Sequence, residues 1–378
     1  MIKNIKTTYV KKDTIDFIID DDPNMTWIGD FDSHSFERFF VIMDEEVSRL
    51  WGSKIRKGLN THKKPMFFFE VEASEQSKSI NFYPKLVDFL EKHKSNLSDL
   101  VIAIGGGIVI DLVSFTCSTY MRAMPFYAIP TTLIGQIDAS TAGKTCLNTS
   151  NSKNLLGTFY YPLKVYNNIN FLSTNSRYHL RQGYSEIFKY GLLGSSRLIG
   201  MMRLYSKKPS PNLLMNIIKL ASETRIKIRK INPLASNLGH TFGHAIEKIS
   251  NFEILHGDAI SAGTVMSLHF SKKLGIIDSK SVQRIISLMK ELGLNIYIDR
   301  NINVDNLVNF MMRDKKSSST GINLVLINGI ARPYSKKGVP FYRTTPDFVR
   351  AFLGEFIETY DYLIEDCANY IKKEELDY

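Results

Sequence analysis

The side chains most able to do chemistry here are the histidines at positions 240, 244 and 256, three of only eight in the chain. His240 and His244 are four residues apart, so on a helix they would stand one turn apart on the same face. Imidazole together with a carboxylate is a normal ligand set for zinc. The pattern predicts a metal site; polar decoration of a helix is the alternative.

A second pair, Glu186 and Lys189, lies in the segment Tyr-Ser-Glu-Ile-Phe-Lys. Spacing of three residues puts both side chains on one face of a helix. A buried glutamate here could add a carboxylate to the metal site. The same spacing is typical of a surface ion pair, so spacing alone leaves both interpretations open.

The segment Gly105-Gly106-Gly107 follows an apolar strand predicted at 100–104 and precedes a helix that carries Asp111. Glycine lets a phosphate approach the backbone, and a helix N-terminus supplies N–H donors and the positive end of a dipole. This arrangement favours a pyrophosphate-binding turn. Its spacing differs from the usual dinucleotide fingerprint, and a tight strand–helix turn is the alternative.

The stretch from 130 to 154 carries Asp138, Lys144, Lys153 and Asn154. Two lysines, an amide and a carboxylate suit an anionic, hydroxylated substrate, because lysine is a natural point-charge partner for phosphate. A solvated basic loop is the alternative.

The elements that must position these residues change character along the chain. Apolar strands predicted at 36–43, 66–71, 100–104 and 125–129, with a helix at about 79–93, indicate a doubly wound α/β domain over residues 1–180. Residues 181–378 read as a mostly helical domain. Its predicted helices are 181–192, 211–231, 237–251, 257–274, 280–292, 304–313 and 346–376.

The composition argues against several classes of protein. The chain has 378 residues, 44% apolar, with a net charge of +10 and basic residues spread along its whole length, so we expect no nucleic-acid partner. No apolar run reaches the ~20 residues of a membrane helix, and no secretory signal is recognised, so we expect a cytoplasmic protein without a membrane partner. Cys117, Cys146 and Cys367 form no CxxC motif and are expected to be free thiols.

Taken in order, these segments resemble the dehydroquinate synthase family, within the sugar-phosphate cyclase superfamily. The matching stretches are 75–78, 101–111, 120–122, 130–133, 138–148, 153–154, 186–191, 237–247 and 256–257, with looser matches at 314–316 and 324–326. The resemblance spans about residues 35–335. Its specificity comes from many short matches that fall in the same order.

The resemblance implies an N-terminal Rossmann-like doubly wound domain, a C-terminal mostly helical metal-binding domain and a homodimer. It implies a lyase of the shikimate pathway, in aromatic amino acid biosynthesis, that uses NAD catalytically. The expected reaction converts 3-deoxy-arabino-heptulosonate 7-phosphate into 3-dehydroquinate and phosphate.

The resemblance also implies roles for individual residues. Zn²⁺ (or Co²⁺) would be held by Glu186, His240 and His256, which turns His244 towards the substrate phosphate. NAD would be held by Asp44, Glu75, Lys78, Gly106, Gly107, Asp111, Thr131, Thr132 and Lys153. The substrate phosphate would meet Lys144, Asn154, His244 and Arg122, the last from the partner subunit. The substrate ring would meet Asp138, Lys189 and Asn237, and these three with Lys144 and His244 form the expected catalytic set.

One departure from the family bears on the substrate. The family has an arginine that grips the substrate carboxylate shortly before the asparagine of the histidine motif, where this shorter segment has Pro233. Lys227 matches a second carboxylate-binding lysine, and Arg229 or Lys230 could substitute. The alternatives are a cyclase acting on sedoheptulose 7-phosphate or glucose 6-phosphate for a cyclitol pathway, and a polyol or alcohol dehydrogenase of the related iron-containing fold. Lys144, Lys153 and Asn154 argue against the dehydrogenase, because a simple alcohol needs no phosphate cradle.

Overall fold

The computed structural model describes residues 15–31, 35–141, 143–149, 152–300, 302–312 and 321–365. The looser match at 314–316 and Cys367 lie outside these residues. The chain divides into two compact units. The first comprises residues up to Thr131 together with Ala139–Asn168, and the second comprises Thr132–Asp138 and the chain from Ile169 onward. The predicted boundary after residue 180 therefore falls inside the second unit, within a helix that begins at Arg177.

The first unit is built on a six-stranded parallel sheet with the order β1-β8-β5-β4-β2-β3. Its central strands are buried on both faces, as their continuous apolar sequences require. The strands of the sheet are β1 (Asp16–Asp20), β2 (Phe39–Asp44), β3 (Met66–Val71), β4 (Leu100–Gly105), β5 (Phe126–Pro130) and β8 (Lys164–Asn168). The four predicted strands are confirmed; β1 and β8 were not predicted.

Helices and one hairpin complete this unit. The helices are α1 (Glu45–Asn60), α2 (Tyr83–Lys92) and α3 (Gly107–Thr119), and the antiparallel hairpin joins β6 (Leu147–Thr149) to β7 (Ser152–Leu156). The apolar face of α3 is buried in the core with α2 and the strands of the sheet. Each helix follows a strand, which gives the alternation expected of a doubly wound fold.

The second unit is mostly helical, as predicted. Its helices are α4 (Leu133–Ile137), α5 (Arg177–Gly194), α6 (Ser196–Lys207), α7 (Pro211–Ile231), α8 (His240–Ile249), α9 (His256–Lys273), α10 (Ser279–Glu291), α11 (Val304–Met312) and α12 (Pro346–Thr359). Its short strands are β9 (Ile298–Asp299), β10 (Ile322–Leu324), β11 (Ile327–Gly329), β12 (Arg332–Pro333), β13 (Tyr342–Thr344) and β14 (Ile364–Glu365). The helix predicted at 346–376 is wrong in its length, because α12 ends at Thr359 and β14 pairs with β9.

Glycines set the distances between the three helices that carry the histidines and Glu186. A Cβ added at Gly263 of α9 would lie 2.2 Å from the carbonyl oxygen of Gly239, the residue before α8. A Cβ at Gly257 would lie 2.5 Å from the Cα of Gln182 on α5. Both neighbours are backbone atoms that cannot swing aside, so glycine is required for this approach.

Within the described residues, no helix is both long enough and apolar enough to cross a membrane.

Candidate active site

In the second unit, three helices bring Glu186 (α5), His240 and His256 (the first residues of α8 and α9) together. Glu186 is fully buried, and its Oε1 lies 3.8 Å from Nε2 of His240 and 3.7 Å from Nε2 of His256. Among the described residues, this Oε1 has no hydrogen-bond partner. A buried carboxylate oxygen left unpaired is costly. A divalent cation between these three atoms would satisfy it, so the residues fit a metal.

The hydrogen bonds of the two imidazoles set their tautomers. Nδ1 of His240 lies 3.1 Å from the carbonyl oxygen of Leu238, and Nδ1 of His256 lies 3.3 Å from Oε2 of Glu247. Both partners accept, so in each neutral imidazole Nδ1 carries the proton and Nε2 presents its lone pair towards Glu186. Burial opposes the charged form of His256, but the carboxylates of Glu247 and then Glu186 outweigh it and raise the pKa of this imidazole.

The other oxygen of Glu186 is held by Lys189, whose ammonium donates to Oε2. Both side chains are buried, so the surface ion pair considered for this spacing is excluded. The ammonium also lies 4.5 Å from the centroid of the Tyr190 ring. Lys189 therefore fixes the glutamate in one orientation while staying at the edge of the proposed metal site.

His244 stands one turn after His240, and the centroids of their rings are 5.2 Å apart. His244, Glu247 and His256 form a second group whose ligand atoms converge within 4.8 Å. In that group, however, Glu247 already accepts from His256. The group around Glu186 has the oxygen without a hydrogen bond, so the structure favours Glu247 as the residue that orients His256 and leaves His244 beside the three candidate ligands.

Asp138, also in the second unit, is half-buried and contacts two buried polar side chains, which sequence reasoning did not foresee. Its Oδ1 accepts from the Tyr190 hydroxyl at 2.8 Å and from Nε of Arg225 on α7. Burial raises the pKa of the Tyr190 phenol, and the Asp138 carboxylate adds to the rise. Burial opposes the charge of Arg225, but Asp138 reverses this effect and raises the pKa of the guanidinium.

A signal for Arg225 was present in the sequence. It falls at helical spacing within the buried, mostly apolar face of α7, between Ala221 and Ile228. Lys227, the expected carboxylate partner, lies two residues further along and is exposed. Two residues correspond to about 200° around a helix, so the two cations point to different sides. The buried cation of this helix is therefore Arg225.

Asn237 lies in the turn before α8, half-buried, and its Nδ2 donates to the carbonyl oxygen of Leu234 at 2.9 Å. Its own carbonyl oxygen accepts from the His240 N–H at 3.1 Å, so it helps begin the helix. Pro233 is exposed in the same turn.

In the first unit, the predicted nucleotide residues gather at the carboxyl ends of adjacent parallel strands, where open α/β sheets bind ligands. Asp44 ends β2 and caps α1, where burial raises the pKa of its carboxyl. Gly106 and Gly107 join β4 to α3. Thr131 follows β5, and its N–H donates to the carbonyl oxygen of Gly105 at 2.9 Å. Thr132 begins the short segment that belongs to the second unit, where its hydroxyl caps α4.

Two ion pairs lie beside this edge. Lys78 is buried and donates to Asp111, whose negative charge outweighs burial and raises the pKa of the ammonium. Lys153 lies 2.9 Å from Glu75. Burial would raise the pKa of the Glu75 carboxyl, but Lys153 and Lys78 hold it below its usual value. These four of the nine residues predicted to bind NAD therefore form one charged cluster.

Asn148 and Cys146 belong to this cluster and were missed from the sequence. Nδ2 of Asn148 donates to Glu75 at 2.6 Å, and its Oδ1 accepts from the N–H of Asn154 at 3.0 Å. The thiol of Cys146 lies 3.2 Å from Asp111 and 3.1 Å from Oδ1 of Asn154. Burial, with Asp111 nearby, raises the pKa of this thiol to about 12, so it stays protonated. The other two residues predicted to contact phosphate, Lys144 and Arg122, are exposed.

Two family models match the chain in succession. The model for the 3-dehydroquinate synthase N-terminal region matches residues 68–182, and the model for the C-terminal region matches residues 183–317. The chain belongs to the 3-dehydroquinate synthase family. A relative, the 3-dehydroquinate synthase of Aliivibrio fischeri, is 33% identical over 313 residues, which is 80% of this chain and 86% of that protein. The expected family, and with it the expected enzyme class, are thereby confirmed.

Solved structures agree on the fold of this family member. The 2-epi-5-epi-valiolone synthase of Streptomyces hygroscopicus subsp. jinggangensis, with NAD⁺ and Zn²⁺ bound, matches 93% of this chain and 99% of its own at a TM-score of 0.82 and 22% identity. A 2-deoxy-scyllo-inosose synthase in complex with carbaglucose-6-phosphate, NAD⁺ and Co²⁺ matches 90% of this chain and 96% of its own, with a TM-score of 0.79 and 18% identity. At these identities the likeness shows the fold class, which is as predicted.

Proposed function

We propose that this protein is a phosphate-eliminating cyclase that acts as a 3-dehydroquinate synthase, converting 3-deoxy-arabino-heptulosonate 7-phosphate into 3-dehydroquinate and phosphate. The observation that carries the proposal is the buried Oε1 of Glu186, which lacks a hydrogen bond and faces two imidazole Nε2 atoms. Family membership supports the reaction class. The homodimer, the cytoplasmic location and the shikimate pathway remain predictions.

The metal, Zn²⁺ or Co²⁺, would be held by Glu186, His240 and His256. The dinucleotide would be held by the charged cluster of Lys78, Asp111, Glu75 and Lys153 and by the strand ends at Asp44, Gly106, Gly107, Thr131 and Thr132. When bound, the metal would polarise a ring alcohol and NAD would accept a hydride from its carbon, so that the resulting ketone acidifies the neighbouring carbon–hydrogen bond and lets phosphate leave by elimination; the same hydride would be returned afterwards.

The chain's own residues would position the substrate and stabilise its charges. Lys189, Asp138 and Asn237 offer an ammonium, a carboxylate and an amide to ring hydroxyls. Lys144, Asn154, Arg122 and His244 would hold the phosphate. Groups fixed in advance for a developing charge lower the barrier more than mobile ones, because they need no reorganisation during the reaction. The hydrogen bonds that hold Lys189 and Asp138 in the structure support this role.

For the substrate carboxylate, the structure supports Arg225 in place of Lys227. A planar guanidinium holds a carboxylate through two parallel hydrogen bonds, and α7 carries this one on its buried side. The Nε of Arg225 already donates to Asp138. The carboxylate of the substrate would therefore bind beside that of Asp138 and share the guanidinium with it. Arg225 would thus replace the arginine that the family has near Pro233.

A cyclase acting on a neutral sugar phosphate is the second candidate. The observation that favours it is the short, exposed turn at Pro233, which supplies no cation of its own. In such an enzyme Arg225 would serve only to hold Asp138 through the hydrogen bond described above.

The test is a panel of 3-deoxy-arabino-heptulosonate 7-phosphate, sedoheptulose 7-phosphate and glucose 6-phosphate, each with NAD and Zn²⁺. Phosphate release and product mass are measured for each substrate. We expect the acid to react and the two neutral sugars to react at least roughly tenfold more slowly, because they forgo a charge-assisted contact worth ~1.5–3 kcal/mol. An inert acid beside a reactive neutral sugar would establish the second candidate instead.

A further inference from the structure

A cavity of about 170 Å³ lies beside α9 and α12 in the second unit, among residues that the proposed reaction does not use. Its walls include the rings of Phe352, Phe356 and Tyr360. His269, on α9, also lines it. His269 is thirteen residues after His256, which places it roughly 20 Å along the helix from the proposed metal ligand.

His269 is the unusual group in this cavity. It is only 4% exposed, and among the described residues neither ring nitrogen has a hydrogen-bond partner. Its ring centroid lies 3.9 Å from that of Tyr360. Burial, with Lys272 nearby, lowers the pKa of this imidazole to about 4, so at neutral pH it offers one donor and one acceptor. Buried polar atoms are rarely left without partners, so these indicate a ligand or a water.

The charges at the cavity favour an anion. Lys272 is half-buried, donates to the Tyr360 hydroxyl at 3.1 Å and has three N–H groups in all. Lys273 forms an ion pair with Glu355 at the rim. Two lysines against one glutamate leave the lining positive at neutral pH. The aromatic walls suit a flat apolar body, and the volume is close to the ~150 Å³ that holds a benzene ring in a protein interior.

We propose that this cavity binds a small aromatic monocarboxylate, with its ring against Phe352, Phe356 and Tyr360 and its carboxylate accepting hydrogen bonds from His269 and Lys272. This second site goes beyond the proposed function and does not depend on it. A ligand there would complete hydrogen bonds that the folded chain leaves unmade. It would bind at the end of α9 opposite the proposed metal ligand.

Benzoate is the probe, titrated calorimetrically into the full chain loaded with Zn²⁺ and NAD. We expect one site per chain, and binding weakened roughly tenfold or more by His269→Phe and by Lys272→Gln, since each removes a charge-assisted hydrogen bond. Lys280→Gln, an exposed lysine on α10, is the matched control and should leave binding unchanged. Benzyl alcohol keeps the ring without the charge and should bind more weakly.

A second readout keeps the test independent of how the variants fold. The imidazole signals of His269 in the unaltered protein should shift when benzoate is added. Unshifted His269 signals at millimolar benzoate, or equal affinity in the control and both cavity variants, would overturn the proposal, as water would then suffice for the imidazole. Acetate binding as tightly as benzoate would overturn the aromatic specificity.

Discussion

At the scale of single residues, the candidate metal site depends on groups that would not touch the metal. Glu247 and the Leu238 carbonyl hold the protons of the two imidazoles on Nδ1, and Lys189 holds one oxygen of Glu186. The candidate ligand atoms that remain, Oε1 of Glu186 and Nε2 of each imidazole, face one another. Partners of this kind tune metal affinity by fixing tautomer and ring orientation.

Glu247→Gln should therefore weaken Zn²⁺ binding by about 10- to 100-fold, because the amide can turn its N–H₂ towards His256 and lose control of the tautomer. Competition with a chromophoric chelator measures the affinity. Glu253→Gln, an exposed glutamate nearby, is the control and should leave it unchanged. Equal affinities in the two variants would remove Glu247 from this role.

Arg225→Gln should raise the KM for the acidic substrate by about 10- to 100-fold, the equivalent of one lost charge-assisted contact. Lys227→Gln, on the same helix and exposed, should change KM by no more than about twofold, since surface charges contribute little. Steady-state kinetics of phosphate release compare the two. A large effect of Lys227→Gln with a small effect of Arg225→Gln would restore the sequence-based assignment.

His269 also predicts a pH dependence of stability. The pKa of its imidazole in the folded protein is lowered from 6.5 to about 4. The unfolded chain therefore binds the proton first, so the free energy of unfolding is highest above pH 6.5 and decreases as the pH falls towards 4. The full loss is about 3 kcal/mol. The free energy of unfolding of His269→Phe should fall less between pH 7 and pH 5 than that of the unaltered chain. Parallel pH profiles would contradict the shifted pKa.

At the scale of elements, α5 and α9 are joined by a buried ion pair close in sequence to the proposed metal ligand that each helix carries. Arg181 donates to Asp258 through Nε at 2.8 Å and through a terminal nitrogen at 2.9 Å. Gln182 donates to the same carboxylate at 3.0 Å. Asp258 lies two residues after His256, and Arg181 lies five residues before Glu186. The pair therefore sets how the first turn of α9 meets α5.

Asp258→Asn should destabilise the protein by about 3–5 kcal/mol, because it leaves the buried Arg181 guanidinium without its counter-charge. The free energy of unfolding, measured in denaturant without metal, isolates this effect from ligand binding. Asp305→Asn, which removes an exposed partner of Arg350, should cost no more than about 1 kcal/mol. Similar losses in both variants would show that the buried Arg181 pair contributes no more to stability than the exposed Arg350 pair.

The sequence predicted which helices and strands are present better than it predicted where they end and which distant residues they bring into contact. Strands at β2, β3, β4 and β5 were evident because apolar runs mark buried strands. β1 and β8 were missed because Asp16, Asp20 and the polar residues of β8 interrupt that pattern. The ligand set came from a resemblance, since spacing alone paired His240 with His244. Tyr190 and Asn148 were missed because contacts between distant segments leave no local pattern. Arg225 was missed although its position on the buried, mostly apolar face of α7 marked it.

At the scale of the whole molecule, the residues proposed for NAD and those proposed for the metal lie mostly in different compact units. The first holds the charged cluster proposed for NAD, and the second holds the proposed metal ligands. The segment Thr132–Asp138 leaves the first unit and joins the second, which no local pattern in the sequence predicts. Thr131 and Thr132, both predicted site residues, thus belong to different units although they are adjacent in the chain.

If the protein is a cyclase, NAD should be required but not consumed. Phosphate should appear in many turnovers per NAD while the absorbance of NADH at its own band stays flat, because the hydride is returned within each cycle. Simultaneous phosphate and absorbance records on one sample make the comparison. Stoichiometric growth of NADH would instead identify a dehydrogenase of the related fold.

The close approach of Gly263 to Gly239 makes position 263 sensitive to natural variation. His240 follows Gly239 directly, and a methyl group at 263 would meet the carbonyl oxygen of Gly239 at 2.2 Å, so α8 would have to retreat from α9. A variant with alanine at 263 would keep every ligand and still widen the gap between two of them. In a survey of inherited or selected mutations, such a change would score with the loss of a histidine, although it adds only carbon and hydrogen.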